Sequence, residues 1–135
     1  MAGRSSTRVE FEEHGRTVVY RRHRNGGGLV SPQATVEPTA FVARDAWVET
    51  GARIGAGASV GSGSWIDVDA RLGEDVAVGR NVHVGPGAEV GDGAQIETGA
   101  RLGAGVRVQA RTRVPADASV ADGDVVTRER FGIAA

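Results

Sequence analysis

The stretch Val48-Glu49-Thr50-Gly51-Ala52-Arg53-Ile54-Gly55-Ala56-Gly57-Ala58-Ser59-Val60 decides the fold, because it repeats itself every six residues. Stepping by six from Val30 to Val126 meets 17 positions, and every one is Val, Ile or Leu. The whole chain holds only 27 such residues, so the register is not accidental. Two residues before each of these positions, from Ala34 to Ala118, stands Ala, Ser, Thr or Val. Three residues after them Gly, Asp or Asn dominates, as in Asp45, Gly51, Gly57, Gly63, Asp69, Asp75, Asn81 and Gly87. These residues best tolerate the left-handed backbone that a sharp turn requires.

A physical reading follows. Residues two apart in a strand face the same side, so the aliphatic residue and the small residue before it both point inward. Each hexad is then a short strand plus a corner, and three hexads close a triangular coil of about 18 residues. Stacked at about 4.8 Å per coil, the repeat from Val30 to Val126 gives just over five coils and a prism roughly 25 Å long. One coil alone cannot bury its inner face, so stability must come from stacking and from protected ends. The glycines at 55, 57 and 61 do not have dinucleotide-binding spacing, and no helical pattern follows them.

Outside the repeat, Val9 and Phe11 alternate with Glu10 and Glu12, and Val18 and Tyr20 follow the pair His14-Gly15. This predicts a β-hairpin turning at His14-Gly15, pairing Phe11 with Val18, Val9 with Tyr20 and Glu13 with Arg16. Its apolar face suits it to cover the first coil. Asn25-Gly26-Gly27-Gly28 reads as a flexible joint, and Phe131 and Ile133 as a cap at the far end. The chain therefore divides into a hairpin cap and joint (1–28), the repeat domain (29–127) and a C-terminal tail (128–135).

Composition narrows the function. There are 135 residues, 21 of them Gly, and six aromatics. No cysteine is present, which excludes disulfides, thiolate metal sites and cysteine nucleophiles. The net charge of -1 argues against a general nucleic-acid partner. All 16 basic residues are arginine. No apolar run approaches the length of a membrane span and no signal-peptide core is evident, so the expected location is the cytoplasm, with no membrane partner.

Outward residues, one before each aliphatic position, align once per coil. One column reads Leu29, Trp47, Trp65, His83, Arg101, Ser119, and the apolar stripe Leu29–Trp47–Trp65 with His83 is expected to pack against other subunits. The next column holds Arg53, Arg71, Glu89 and Arg107, and its three arginines are a candidate anion site, or else a solvated face with Glu89 as local partner. His83, the sole histidine of the repeat, is a candidate general base, or else an interface residue stacked on Trp65. Three converging ligands for zinc are not apparent, so no metal site is expected.

The segments Val48–Ala58 and Val84–Ala94 resemble the [LIV]-[GAED]-x-x-[STAV]-x signature of the hexapeptide-repeat, acyltransferase-like superfamily, and the resemblance runs over about residues 29–127. It implies an all-β, left-handed parallel β-helix. It also implies a homo-oligomer, most often a trimer, with sites between subunits. If the activity carries over, the donor is acyl-CoA or acyl-carrier protein and His83 the base. The unbroken register and the plain surface favour a structural or interaction module without an evident cofactor; the alternative is a small acyl-CoA-dependent acyltransferase-like enzyme with its site at a subunit boundary near His83.

Overall fold

A computed structural model of the chain describes residues 8–131. After a hairpin formed by β1 (Arg8–Glu13) and β2 (Arg16–Arg22), every hexad supplies one two-residue strand, from β3 (Leu29–Val30) to β19 (Val125–Val126). Each strand pairs in parallel with its counterpart one coil further on: Trp47 lies beside Trp65, Arg53 beside Arg71, and Ser59 beside Ala77. Three sheets result, of eight, six and five strands, and they form the walls of a left-handed β-helix of about five coils. Each coil donates backbone hydrogen bonds to the next, as from Trp65 N to the Val82 carbonyl (2.8 Å).

The core is the predicted one. Of the hexad aliphatics, all but Val36 are buried, and Ala52, Ala58, Ala70, Ala94 and Ala100 fill the narrow corners beside them. Ser64, a polar residue at a small inward position, is satisfied there. Its hydroxyl donates to the Gly79 carbonyl (2.7 Å) and accepts from Val82 N (3.0 Å). A buried hydroxyl paired on both sides carries little of the desolvation cost an orphan would.

The corners show why glycine alternates with Asp and Asn. Gly51, Gly57 and Gly63 have φ of 77°, 72° and 74°, and directly above them Asp69, Asp75 and Asn81 have φ of 60°, 57° and 53°. The upper side chain folds down over the lower glycine, so that a Cβ on Gly57 would collide with the Asp75 carboxylate. Asp45 departs from the expectation: its φ is not positive. Thr39 and Asp45, in the first coil, instead use side-chain oxygens to accept from Gly57 N (3.0 Å) and Gly63 N (3.1 Å). In later coils that N–H goes to a backbone carbonyl, as from Asp75 N to Ala56 O (2.9 Å). The Ser62 hydroxyl also donates to Asp45 and holds its carboxyl below the ordinary value.

The hairpin has the predicted register throughout, with Val9 opposite Tyr20, Phe11 opposite Val18 and Glu13 opposite Arg16. His14 (φ 50°) and Gly15 (φ 77°) make the tight turn that matches strand twist. It does not lie across the open end of the first coil. Strand β2 pairs edge to edge with β3, antiparallel, and so extends one wall of the prism. Val36, on a neighbouring wall, is left half-buried. The glycine joint is pinned, contrary to the expected flexibility. Gly28 N donates to the Val42 carbonyl (2.9 Å), and Val42 N to Asn25 O (3.0 Å). A side chain at Gly28 would strike Val42, so close packing demands glycine there. At the far end Phe131 packs against the core; Ile133 lies outside the described residues.

Candidate functional site

The residue after each aliphatic position also points outward, by the alternation of a strand. A side chain in the column before the aliphatics therefore has a diagonal neighbour in the coil below. On the tryptophan wall two such pairs form. Trp65 Nε1 donates to Glu49 Oε2 (2.8 Å), and His83 Nε2 meets Asp67 Oδ2 (3.0 Å). On a second wall Arg113 Nε donates to Glu97 Oε2 (2.7 Å) in the same relation, which lowers the Glu97 carboxyl pKa. Only the first two pairs carry rings, and those rings stack: the indole of Trp65 and the imidazole of His83 are 4.3 Å apart and 14° from parallel.

His83 is thus held by three things: its strand, the Trp65 face, and Asp67. The Asp67 side chain is 15% exposed and that of His83 30%, so the pair is sheltered but reachable. A carboxylate can only accept, so Nε2 carries the proton that bridges to it and Nδ1 keeps the lone pair. An imidazole oriented by a carboxylate in this way is what proton abstraction requires.

Next to this pair stands an aromatic cluster. Phe11 and Tyr20 pack on Trp47 at 5.3 and 5.1 Å between ring centroids. Tyr20, 7% exposed, donates its hydroxyl to Glu49 Oε1 (2.7 Å). Burial, reinforced by the Glu49 carboxylate, pushes the Tyr20 phenol well above its ordinary value of 10.0. These contacts change the reading of the tryptophan stripe. Leu29, on the strand that pairs with β2, is buried, and Trp47 is half-buried against Phe11 and Tyr20 of the hairpin, so both are already covered within the chain. Of the expected stripe, Trp65, 42% exposed, and His83 remain outward, with Val68 at the adjacent corner and Arg101 and Ser119 further along the wall.

The arginine column is assembled as expected: Arg53, Arg71, Glu89 and Arg107 are consecutive partners along one wall. They line a shallow groove of about 670 Å3 floored by Gly73 and Gly91 and ending at Val125. Glu89 is not their partner. Among the described residues, none of these four makes an ion pair. The other histidines are placed elsewhere: His23 Nε2 bonds the Ala40 carbonyl (2.8 Å), and His14 sits in the hairpin turn. Among the described residues no group of three His, Cys, Asp or Glu converges as metal ligands, and no helix is long and apolar enough to cross a membrane.

Sequence reasoning reached His83, Trp65 and the arginines but missed Asp67, Glu49 and Tyr20. The signal was available in part. Reading the second outward column (Ser31, Glu49, Asp67, Gly85) beside the first would have put a carboxylate diagonally below Trp65 and below His83.

A coil of three hexads, repeated with an unbroken inward register, defines the class as a hexapeptide-repeat β-helix. Residues 57–92, which include Trp65, Asp67 and His83, match the bacterial transferase hexapeptide (six repeats) family model. Over that segment the chain matches the hexapeptide-repeat transferase family, in keeping with the resemblance in its sequence. No curated protein matches it. Among solved structures it is similar to the acetyltransferase domain of PglB from Neisseria gonorrhoeae in complex with acetyl coenzyme A, at 24% identity over 73% of this chain and 53% of that one, with a TM-score of 0.46. It is also similar to a GDP-perosamine N-acetyl transferase from Caulobacter crescentus, at 27% identity over 73% of this chain and 51% of that one (TM-score 0.44). A hexapeptide transferase family protein from Anaplasma phagocytophilum aligns at 17% identity over 88% and 78% of the two chains (TM-score 0.35). The chain spans about half the length of the first two.

Proposed function

We propose that this chain is an acyltransferase-like enzyme that uses acyl-CoA as donor, with its site at a boundary between subunits of a homo-oligomer and His83 as general base. The observation that carries the reading is the Asp67–His83 contact, inside the segment that matches the transferase repeat. An imidazole oriented by a sheltered carboxylate is suited to take a proton from an acceptor.

In the proposed reaction His83 Nδ1 takes the proton of an acceptor hydroxyl or amine as its oxygen or nitrogen attacks the thioester carbonyl. The tetrahedral intermediate collapses, the C–S bond breaks, and the leaving thiolate recovers the proton from the imidazolium. Asp67 stabilises the charged ring between the two transfers. The donor's phosphates would lie along Arg53, Arg71 and Arg107, whose guanidiniums make no ion pair among the described residues and suit an anion.

The test is acyl transfer with acetyl-CoA across a panel of amines and alcohols, beside calorimetric titration of the donor. His83→Ala should abolish transfer, and Asp67→Asn should lower it by about a hundredfold or more. Arg71→Ala should weaken donor binding while kcat holds. Neither turnover nor saturable CoA binding in the wild-type protein would leave the structural module as the correct reading.

A further inference from the structure

We propose that the N-terminal hairpin is a positioning element for His83, acting through a strut of three side chains, Tyr20, Glu49 and Trp65. The inference takes its catalytic meaning from the reading of His83 as base, but the strut is a geometric statement that stands or falls separately. Its parts are consecutive contacts. The Tyr20 hydroxyl on β2 donates to Glu49 Oε1, Trp65 Nε1 donates to Glu49 Oε2, and the Trp65 ring lies flat against the His83 ring.

The geometry explains why the stack is parallel. Trp65 and His83 hang from neighbouring strands of one wall, each tied through a ring nitrogen to a carboxylate one coil below. Two planar rings anchored in the same way, one coil apart, must lie nearly parallel. Their separation of 4.3 Å is close to the inter-strand spacing of about 4.8 Å. Asp67 fixes one edge of the imidazole, and Trp65 fixes its plane.

Trp65 itself is 42% exposed and free to change rotamer unless something holds it. Glu49 is that holder, and Glu49 is in turn fixed by a phenol packed between Phe11 and Trp47. If the hairpin served only to cover the edge of the sheet, the pairing of β2 with β3 would suffice, and the buried hydroxyl aimed at Glu49 would add a polar group to an apolar contact for no gain. Glu49 and Tyr20 are positioning residues: each acts on His83 through Trp65.

The experiment is NMR of the full chain with side-chain substitutions along the strut. In the wild type the ring protons of His83 lie over the indole and should resonate upfield of those of His14 and His23. Glu49→Leu removes both hydrogen bonds, and Tyr20→Phe removes one while keeping the aromatic packing. Both should move the His83 ring protons downfield. Glu49→Gln, whose amide can still accept from the indole and donate to the phenol oxygen, should keep the wild-type shift. Unchanged His83 resonances in either breaking variant overturn the strut, and Tyr20→Phe decides the matter if Glu49→Leu does not fold. Turnover adds a second reading: kcat should fall about tenfold in the two breaking variants, with KM unchanged and recovery in Glu49→Gln. Loss of transfer in His83→Ala together with an unchanged kcat in Glu49→Leu would dismiss the strut and keep the base. No transfer in the wild type would dismiss the base and leave the ring shifts to judge the strut.

Discussion

At the scale of single residues, the corner positions carry the sharpest consequences. A left-handed φ costs an ordinary L-residue roughly 1–2 kcal/mol, and glycine nothing. Arg111 holds φ of 56° at a corner where Gly57, Asp75 and Gly93 stand in the coils below. Arg111→Gly should therefore stabilise the protein by about 0.5–1 kcal/mol after the greater unfolded-state entropy of glycine is subtracted, visible as a rise of roughly 2–4 °C in Tm. Gly57→Val should do the reverse, because the new side chain meets both an unfavourable φ and the Asp75 carboxylate. A loss of about 1–3 kcal/mol is expected in urea melts. Equal melting of the two variants would show that the corners are not left-handed in solution. The positive φ was legible at most of these sites from residue type alone, since Gly, Asp and Asn stand there. It failed at Asp45, where the residue type fits but the side chain instead serves the N–H of the coil above.

At the scale of elements, the hairpin is the part whose role sequence underdetermined. Its strand register follows from alternation and from His14-Gly15, both local signals. Where it docks depends on a wall that exists only once the coils have formed. The Tyr20 hydroxyl reports on that docking, and Tyr20 is the one tyrosine of the chain, so its ionisation can be followed by phenolate absorbance. The folded pKa lies above the unfolded value of 10.0. Below pH 10 the phenol is protonated in both states and its contribution to stability is fully present. As pH rises beyond that value the unfolded chain releases its proton first, so stability falls with pH until the folded value is passed. Tyr20→Phe should remove this alkaline slope. A tyrosine titrating at its ordinary value in the native protein would show that the phenol does not sit on Glu49.

At the scale of the whole molecule, a prism with flat walls has little concave surface of its own. The groove on the arginine wall is shallow, and the small hollow beside Trp65 on the His83 wall is lined by only Trp47, Glu49 and Trp65. Ligand sites generally bury most of a small ligand, so a second subunit is the natural source of the missing wall. We expect a homotrimer in solution, with Trp65 and His83 near the contact. Sedimentation or light scattering checks this, and Trp65→Glu should weaken the assembly by charging an apolar contact. A wild-type monomer at micromolar concentration would remove the subunit-boundary site. The sequence by itself determined the inward half of this protein. A period of six with aliphatic and small residues can bury its apolar area only by closing into stacked triangular coils, and hairpin register likewise needs only near neighbours. The tertiary structure decided the outward half. Outward positions obey no period, and each side chain there chooses among neighbours in the adjoining coils, which meet it only when a full turn of the helix is complete. That is why His83 and its stack on Trp65 could be found by type and column, while its carboxylate and the docking of the hairpin through Tyr20 and Glu49 appeared only in three dimensions.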